Sequence, residues 1–320
     1  MKLGVIGSGP IVPFHLDALV SVGFEISAIA SRPGSLTTQS LANKYSATAV
    51  RDFYEVSNYD IDAVLIAPAS RAIEQPLKHF IGRGIPILVE KPVLRNTQMF
   101  KDLGDLENPN VLVGYNRRFY SSVQTLIARN EQMTPHSFQF KVPENSWNGE
   151  LDLLGRGNFL IDNSVHMIDL LRYLSGNSEM KLSIQAGHGE GKLRAINVIA
   201  EGDKMSGALQ ITFNSPGAYS IEFNGSGFSS KLQPIEYLNT FDSIEIIEPT
   251  IEIPIRRYQP KLSSKLFSIS ESDLSFKPGF YQQSKAFADL VQGRKSNIAA
   301  NLYDAFKAIE IIEQIKGAKD

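Results

Sequence analysis

The chain contains no cysteine in its 320 residues. Disulfides, thiolate nucleophiles and cysteine-based metal sites are therefore excluded. Tryptophan occurs once, at Trp147. No apolar run approaches the roughly 20 residues that a membrane helix needs. Net charge is also scarce: 32 Lys and Arg stand against 34 Asp and Glu, for a formal charge of −2. No basic block or basic amphipathic segment is present, so neither nucleic acid nor a membrane is an expected partner. Only Met1-Lys2 precedes the first strand-like run, without the apolar region of a signal peptide. The expected location is cytoplasmic.

What is present is an alternation of strand and helix patterns over the first hundred or so residues. Leu3–Ile6 is a short apolar run that ends in Gly7-Ser8-Gly9. Ile11–Val22 has helical periodicity, with Gly23 as its stop. Strand patterns recur at Glu25–Ala30, Ala63–Ala67, Ile85–Val89 and Val111–Val113, with helical patterns at 36–45, 72–81 and 97–106. Such alternation predicts a parallel sheet covered by helices on both faces, with ligands beyond the carboxyl ends of its strands. After about Tyr120 the rhythm changes. A helix at 161–174 precedes successive strand-like runs from Lys181 to about Ile247, and two helices, 281–291 and 302–315, close the chain. Consecutive strands without intervening helices predict an antiparallel sheet. Two domains are expected, residues 1–118 and 119–320; residues 248–280 carry no assignable pattern.

Gly7-Ser8-Gly9 sits where a strand gives way to a helix. The first Gly permits a tight turn, and the second lets backbone approach a pyrophosphate resting on the helix N-terminus. The third fingerprint position holds Val12, and a bare G-x-G also fits a turn without any ligand. At the end of the second strand, where NAD sites place a carboxylate, this chain has Ser31 and Arg32. A guanidinium there suits the 2′-phosphate of NADP(H), which is favoured over NAD(H). As a solvated loop residue, Arg32 would carry no such information.

Two strings carry the chemistry. Glu90-Lys91-Pro92 follows the strand pattern 85–89, which puts Lys91 near the carboxyl end of the sheet. Its ammonium can stabilise alkoxide character as hydride leaves a carbinol carbon. A surface lysine paired with Glu90 is the plainer alternative. Asp162 and His166 are four apart in a helical pattern and share a face. A carboxylate beside an imidazole is expected to orient it and raise its pKa, which suits a general acid/base. The alternative is an exposed ion pair worth about 0.3–0.5 kcal/mol. Asp162, His166 and Asp169 make a weak metal pattern, and no metal is expected.

These strings resemble the Gfo/Idh/MocA oxidoreductases, a family that includes glucose–fructose oxidoreductase and inositol dehydrogenase. The likeness extends through Ile66-Ala67-Pro68, the segment Val113-Gly114-Tyr115-Asn116-Arg117-Arg118-Phe119 and Asp162-x-x-x-His166-x-x-Asp169 to the tail Phe287–Gly293. It implies an N-terminal Rossmann doubly wound parallel sheet plus a C-terminal α+β domain with an open, mainly antiparallel sheet. It implies an NAD(P) cofactor held by Gly7, Ser8, Gly9, Pro10, Ile11, Ser31, Arg32, Ala67, Pro68, Glu90 and Lys91, with its nicotinamide between the domains. His15, on the first helix, is expected near it. Lys91, Asp162 and His166 would be catalytic, with Asp162 orienting His166. Asn116, Arg117, Trp147 and Asn163 are candidates for contact with a sugar, sugar nucleotide or cyclitol. A homodimer or homotetramer through the sheet is implied. The chain departs from the family pattern at Val12, at Ser164, and at Pro68-Ala69-Ser70-Arg71-Ala72, which lacks a His. An NAD-dependent glycosidase of the same fold and a non-catalytic dinucleotide-binding regulator are the alternatives.

Overall fold

The computed structural model describes residues 1–145, 159–189, 192–266 and 270–317. The α-helices run in chain order α1 Val12–Ser21, α2 Leu36–Lys44, α3 Phe53–Val56, α4 Glu74–Ile81, α5 Thr97–Leu103, α6 Ser121–Met133, α7 Val165–Leu174, α8 Glu271–Ser275, α9 Phe280–Val291 and α10 Leu302–Gly317. The chain divides into two compact units, neither of them one stretch of sequence. The first comprises Met1–Phe119, Leu160–Asp169 and Glu271–Gln314; the second comprises Tyr120–Phe159, Leu170–Ser270 and Ile315–Asp320.

The first unit is built on strands β1 Lys2–Ile6, β2 Glu25–Ala30, β3 Thr48–Val50, β4 Ala63–Ile66, β5 Ile87–Val89 and β6 Val111–Val113. They pair in parallel in the order β3-β2-β1-β4-β5-β6. Leu3, Val5, Leu65 and Leu88 are fully buried, as expected of strands covered on both faces. Short polar side chains start the helices. Ser35 Oγ accepts from Thr38 N, Asp52 Oδ1 from Tyr54 N and Asn96 Oδ1 from Met99 N. Helix α9 returns to this unit, where Phe287 stacks on Phe24 at 5.5 Å between ring centroids. The order reverses between β1 and β4, and a ligand belongs beyond their carboxyl ends. Sequence patterning missed β3 and α3, three and four residues long; elements so short carry no measurable period.

The second unit contains an eight-stranded sheet, with β7 Ser137–Glu144, β8 Lys181–Gly189, β9 Lys192–Glu201, β10 Ser206–Phe213, β11 Ser220–Gly225, β12 Phe228–Leu232, β13 Leu238–Ile247 and β14 Arg257–Leu266. Their order is β14-β13-β12-β11-β7-β10-β9-β8. The sheet is antiparallel except between β7 and β10, which run parallel. Successive strands therefore predicted most of the pairing but not this central pair, which joins segments far apart in sequence. Phe138, Phe140 and Phe223 form an aromatic cluster in its core. Strand β14 occupies part of the unassigned stretch. Pro260 and exposed polar residues hide it from pattern reading, and two register irregularities interrupt its pairing with β13.

Candidate active site

The Gly-rich turn after β1 is shaped by contact on one side and by space on the other. Gly7 has φ +117°, and a Cβ there would lie 2.3 Å from the Ala67 carbonyl oxygen. Only glycine fits such a position. Gly9 has no such constraint, and a Cβ on it would meet nothing within 4 Å. It opens instead onto a cavity of about 440 Å³ lined by Gly9, Pro10, Ile11, Phe14, Ala67, Pro68, Ala69 and Lys277. No side chain caps the N-terminus of α1, which begins at this turn. An open backbone at an uncapped helix start fits the pyrophosphate of a dinucleotide. Val12 points away from the cavity into the core. Ser8 Oγ lies 3.3 Å from Ser35 Oγ. At the end of β2, Ser31 pairs with the Thr38 hydroxyl and Arg32 is exposed.

Beyond β5, Glu90 is a strut. It is buried, and its Oε1 accepts from His15 Nε2 at 2.7 Å while its Oε2 accepts from the Lys91 backbone N–H at 3.0 Å. His15 is itself buried against the Phe280 ring. With both oxygens engaged, Glu90 sets where Lys91 begins. The Lys91 ammonium donates to the Asp162 carbonyl oxygen at 2.7 Å. Burial pushes the Lys91 pKa below its usual value, with Arg117 and Lys277 adding to the effect against Glu90 and Asp162.

The segment carrying Asp162 opens with a π-helical turn, Leu160–Ser164, that runs into α7. Such turns cluster at functional sites because they re-aim side chains. Here the turn presents the Asp162 carbonyl to Lys91, while the Asp162 carboxylate accepts from Arg95 Nη1 at 3.0 Å. The same nitrogen of Arg95 bonds Ser70 Oγ at 2.9 Å. This corrects the expected pairing of Asp162 with His166. No bond joins them among the described residues, and the imidazole pKa is lowered rather than raised. Burial is the main cause, and the positive charges of Lys91, Arg117 and Lys277 act in the same direction. His166 Nδ1 is buried with no hydrogen-bond partner among the described residues. The ring meets Tyr115 edge-on at 6.1 Å. The neutral imidazole is the stable form at neutral pH.

Asp169 serves another purpose. It takes Arg118 in a fork, Nη2 to Oδ1 at 2.6 Å and Nε to Oδ2 at 2.9 Å, and Arg118 Nη1 reaches Asp304 Oδ2 at 3.2 Å. The cluster ties the turn after β6 to the start of α7 and to α10. Asn116 donates to the Pro278 carbonyl at 3.0 Å. Asn163 lies half-buried on the π turn, and Arg117 lies close enough to lower the pKa of both Lys91 and His166. Trp147 falls outside the described residues. No group of three His, Cys, Asp or Glu positioned to hold a metal ion occurs among the described residues. None of their helices is long and apolar enough to cross a membrane. Sequence reasoning missed Ser70, Arg95 and Lys277. Ser70 opens a single 3₁₀ turn and Arg95 and Lys277 lie in loops, none with local periodicity, and only folding brings them to the site.

A parallel sheet of this order, with a glycine-rich turn feeding α1 and a Lys–His pair at its carboxyl edge, defines a Rossmann-type dinucleotide-binding unit. Residues 1–114 match the Gfo/Idh/MocA family model, described as "Oxidoreductase family, NAD-binding Rossmann fold". The chain is similar to that family over this segment, about a third of its length. It is 25% identical over 197 residues to the inositol 2-dehydrogenase of Corynebacterium glutamicum, covering 58% of this chain and 57% of that protein. The match thus spans little more than half the length of that relative. The fold is similar to that of UDP-N-acetylglucosamine 3-dehydrogenase from Acidithiobacillus ferrooxidans, with a TM-score of 0.76 at 15% identity over 99% of this chain and 97% of that one. A dehydrogenase from Clostridium difficile also superposes with a TM-score of 0.76, at 17% identity over 99% of both chains.

Proposed function

We propose that this chain is an NAD(P)-dependent oxidoreductase acting on a secondary alcohol, or the matching carbonyl, of a sugar, sugar nucleotide or cyclitol. The observation that carries the proposal is the pairing of a buried neutral His166 with a Lys91 ammonium fixed on the Asp162 carbonyl. The Gly7–Ile11 turn would hold the pyrophosphate of a dinucleotide, whose nicotinamide would supply the hydride acceptor or donor. His166, deprotonated at neutral pH, takes the hydroxyl proton in oxidation and returns it in reduction. Lys91 stabilises negative charge on the substrate oxygen, where a preorganised donor in a water-poor site is worth most. Asp162 acts as a positioning residue: its carbonyl aims Lys91, and its carboxylate is anchored by Arg95 and Ser70.

Several features support the finer choices. The ring-hydroxyl dehydrogenases among the relatives favour a cyclic polyol or nucleotide sugar. Ser31 and Arg32 at the end of β2, without a carboxylate, favour NADP(H) over NAD(H). The apolar groups of Ile199, Ile244, Ile246, Tyr258 and Leu262 on the second sheet are exposed and favour pairing with a second copy of the chain. The test is a screen of cyclitols, sugars and sugar nucleotides with both dinucleotides, followed by reduced-nicotinamide absorbance. Net cofactor reduction, lost in Lys91→Ala and His166→Asn while the dinucleotide still binds, is the expected result. Substrate cleavage without net cofactor change would indicate a glycosidase instead. Turnover untouched by both substitutions would refute the mechanism.

A further inference from the structure

Lys277 lies in the turn between α8 and α9, and the backbone of that turn is held without help from its side chain. Gly279 N donates to Asp273 Oδ1 at 2.9 Å, Phe280 N donates to the Lys277 carbonyl at 3.0 Å, and Asn116 Nδ2 donates to the Pro278 carbonyl at 3.0 Å. The side chain itself leans over two aromatic rings. Its ammonium is 5.1 Å from the centroid of Phe14 and 5.5 Å from that of Phe280. Ring faces attract a cation but accept none of its N–H bonds in the manner of an oxygen. Lys277 has no hydrogen-bond or ion-pair partner among the described residues, so its three donors remain available to a ligand.

Positive charge gathers around Lys277 in this unit. Lys277 lines the cavity beside Gly9, Pro10 and Ile11. The uncapped start of α1 contributes further positive potential at that spot. Lys91 and Arg117 are cations of the same neighbourhood, and Lys277 is near enough to disfavour protonation of both Lys91 and His166. An aromatic cradle that holds a cation against a positive helix end is stabilised once an anion fills the space between them.

We propose that Lys277 is a cofactor-binding residue, its ammonium pairing with the dinucleotide pyrophosphate that rests on the Gly7–Ile11 turn. The 277–279 turn thereby acts as a strap over the cofactor, reaching the glycine-rich turn from the far end of the chain. The inference rests on the dinucleotide-dependent function proposed above.

The experiment measures dissociation constants of NADPH, NADH, ADP-ribose and adenosine for the full chain and for Lys277→Gln and Lys277→Arg. ADP-ribose carries the pyrophosphate without nicotinamide, and adenosine carries no phosphate. Lys277→Gln is expected to weaken NADPH, NADH and ADP-ribose alike by about tenfold, the scale of one charge-assisted hydrogen bond. It should leave adenosine unchanged and flatten the salt dependence of binding. Lys277→Arg should keep most of the affinity. Because Lys277 is exposed, a matching thermal melt is expected to show that the variant folds. Unchanged ADP-ribose affinity in Lys277→Gln would overturn the inference, as would an equal loss for adenosine. If the unaltered chain bound none of the dinucleotides, the function proposed above would fail with it.

Discussion

Replacing Arg118 tests whether the buried ion cluster holds the segment carrying Asp162 and His166 in place. The Arg118 and Asp169 side chains retain only 2% and 1% of their exposure, while Asp304 keeps 13%. Burial disfavours the guanidinium charge, but Asp169 and then Asp304 hold its pKa above the usual arginine value. Arg118→Met preserves much of the volume and deletes the charge, leaving the Asp169 carboxylate buried without its guanidinium. Two unit charges about 4 Å apart at an effective dielectric constant of about 20 interact by roughly 4 kcal/mol. That agrees with the ~3–5 kcal/mol typical of breaking one side of a buried pair. Urea unfolding followed by circular dichroism at pH 7 should register this loss. In the variant, burial of the Asp169 carboxylate without that guanidinium favours its protonated form. Protonation in acid removes that uncompensated charge, so the deficit should shrink as pH falls. Removing both charges in Arg118→Met/Asp169→Leu should recover most of the stability, since an apolar pair of similar volume replaces the ions. A loss below about 1 kcal/mol in Arg118→Met, or a double variant weaker than the single one, would refute the reasoning.

Other outcomes follow from the same geometry. Because the Asp162 carbonyl rather than its carboxylate meets Lys91, Asp162→Asn should lower kcat by no more than about tenfold, against ~10²–10⁴-fold for His166→Asn; equal losses would restore Asp162 as the partner of His166. Burial and cations keep His166 neutral, so the acid limb of the kcat/KM profile for oxidation should lie well below pH 6.5. Removing a neighbouring positive charge in Lys277→Gln favours the imidazolium and should move that limb to higher pH. The alkaline limb, where Lys91 loses its proton, should fall below 10.5. Gly7→Ala should fail to fold or to bind dinucleotide, because its Cβ would collide with Ala67. Gly9→Ala should melt like the unaltered chain yet bind dinucleotide about tenfold more weakly, as calorimetry would detect.

The parallel unit was legible because its strands are short apolar runs bounded by glycine and its helices carry a clear period. Val111–Val113 and Glu25–Ala30 are found where the pattern puts them. Strand β14 was harder to see, since much of its side-chain surface faces solvent and such a strand alternates weakly. Gly7, Gly9, Lys91 and His166 stood out because a turn or an apolar run framed each of them. The roles of Glu90, Asp162 and Asp169 did not, because each depends on a partner distant in the chain: His15, Arg95 and Arg118 respectively.

The sequence by itself determined the class of sheet, the glycine-rich turn and the residue types available for proton and charge handling. These are local properties of spacing and of backbone freedom. Only the tertiary structure decided that 160–169 folds with the parallel sheet, that a π turn hands the Asp162 carbonyl to Lys91, and that His166 is left neutral among cations. It also brought Lys277 to the first turn of the chain, beside residues more than two hundred and fifty positions away. Spacing along a chain fixes which groups share a turn or a face. Burial and the company of distant charges, which set a pKa and aim a donor, exist only once the chain has closed on itself.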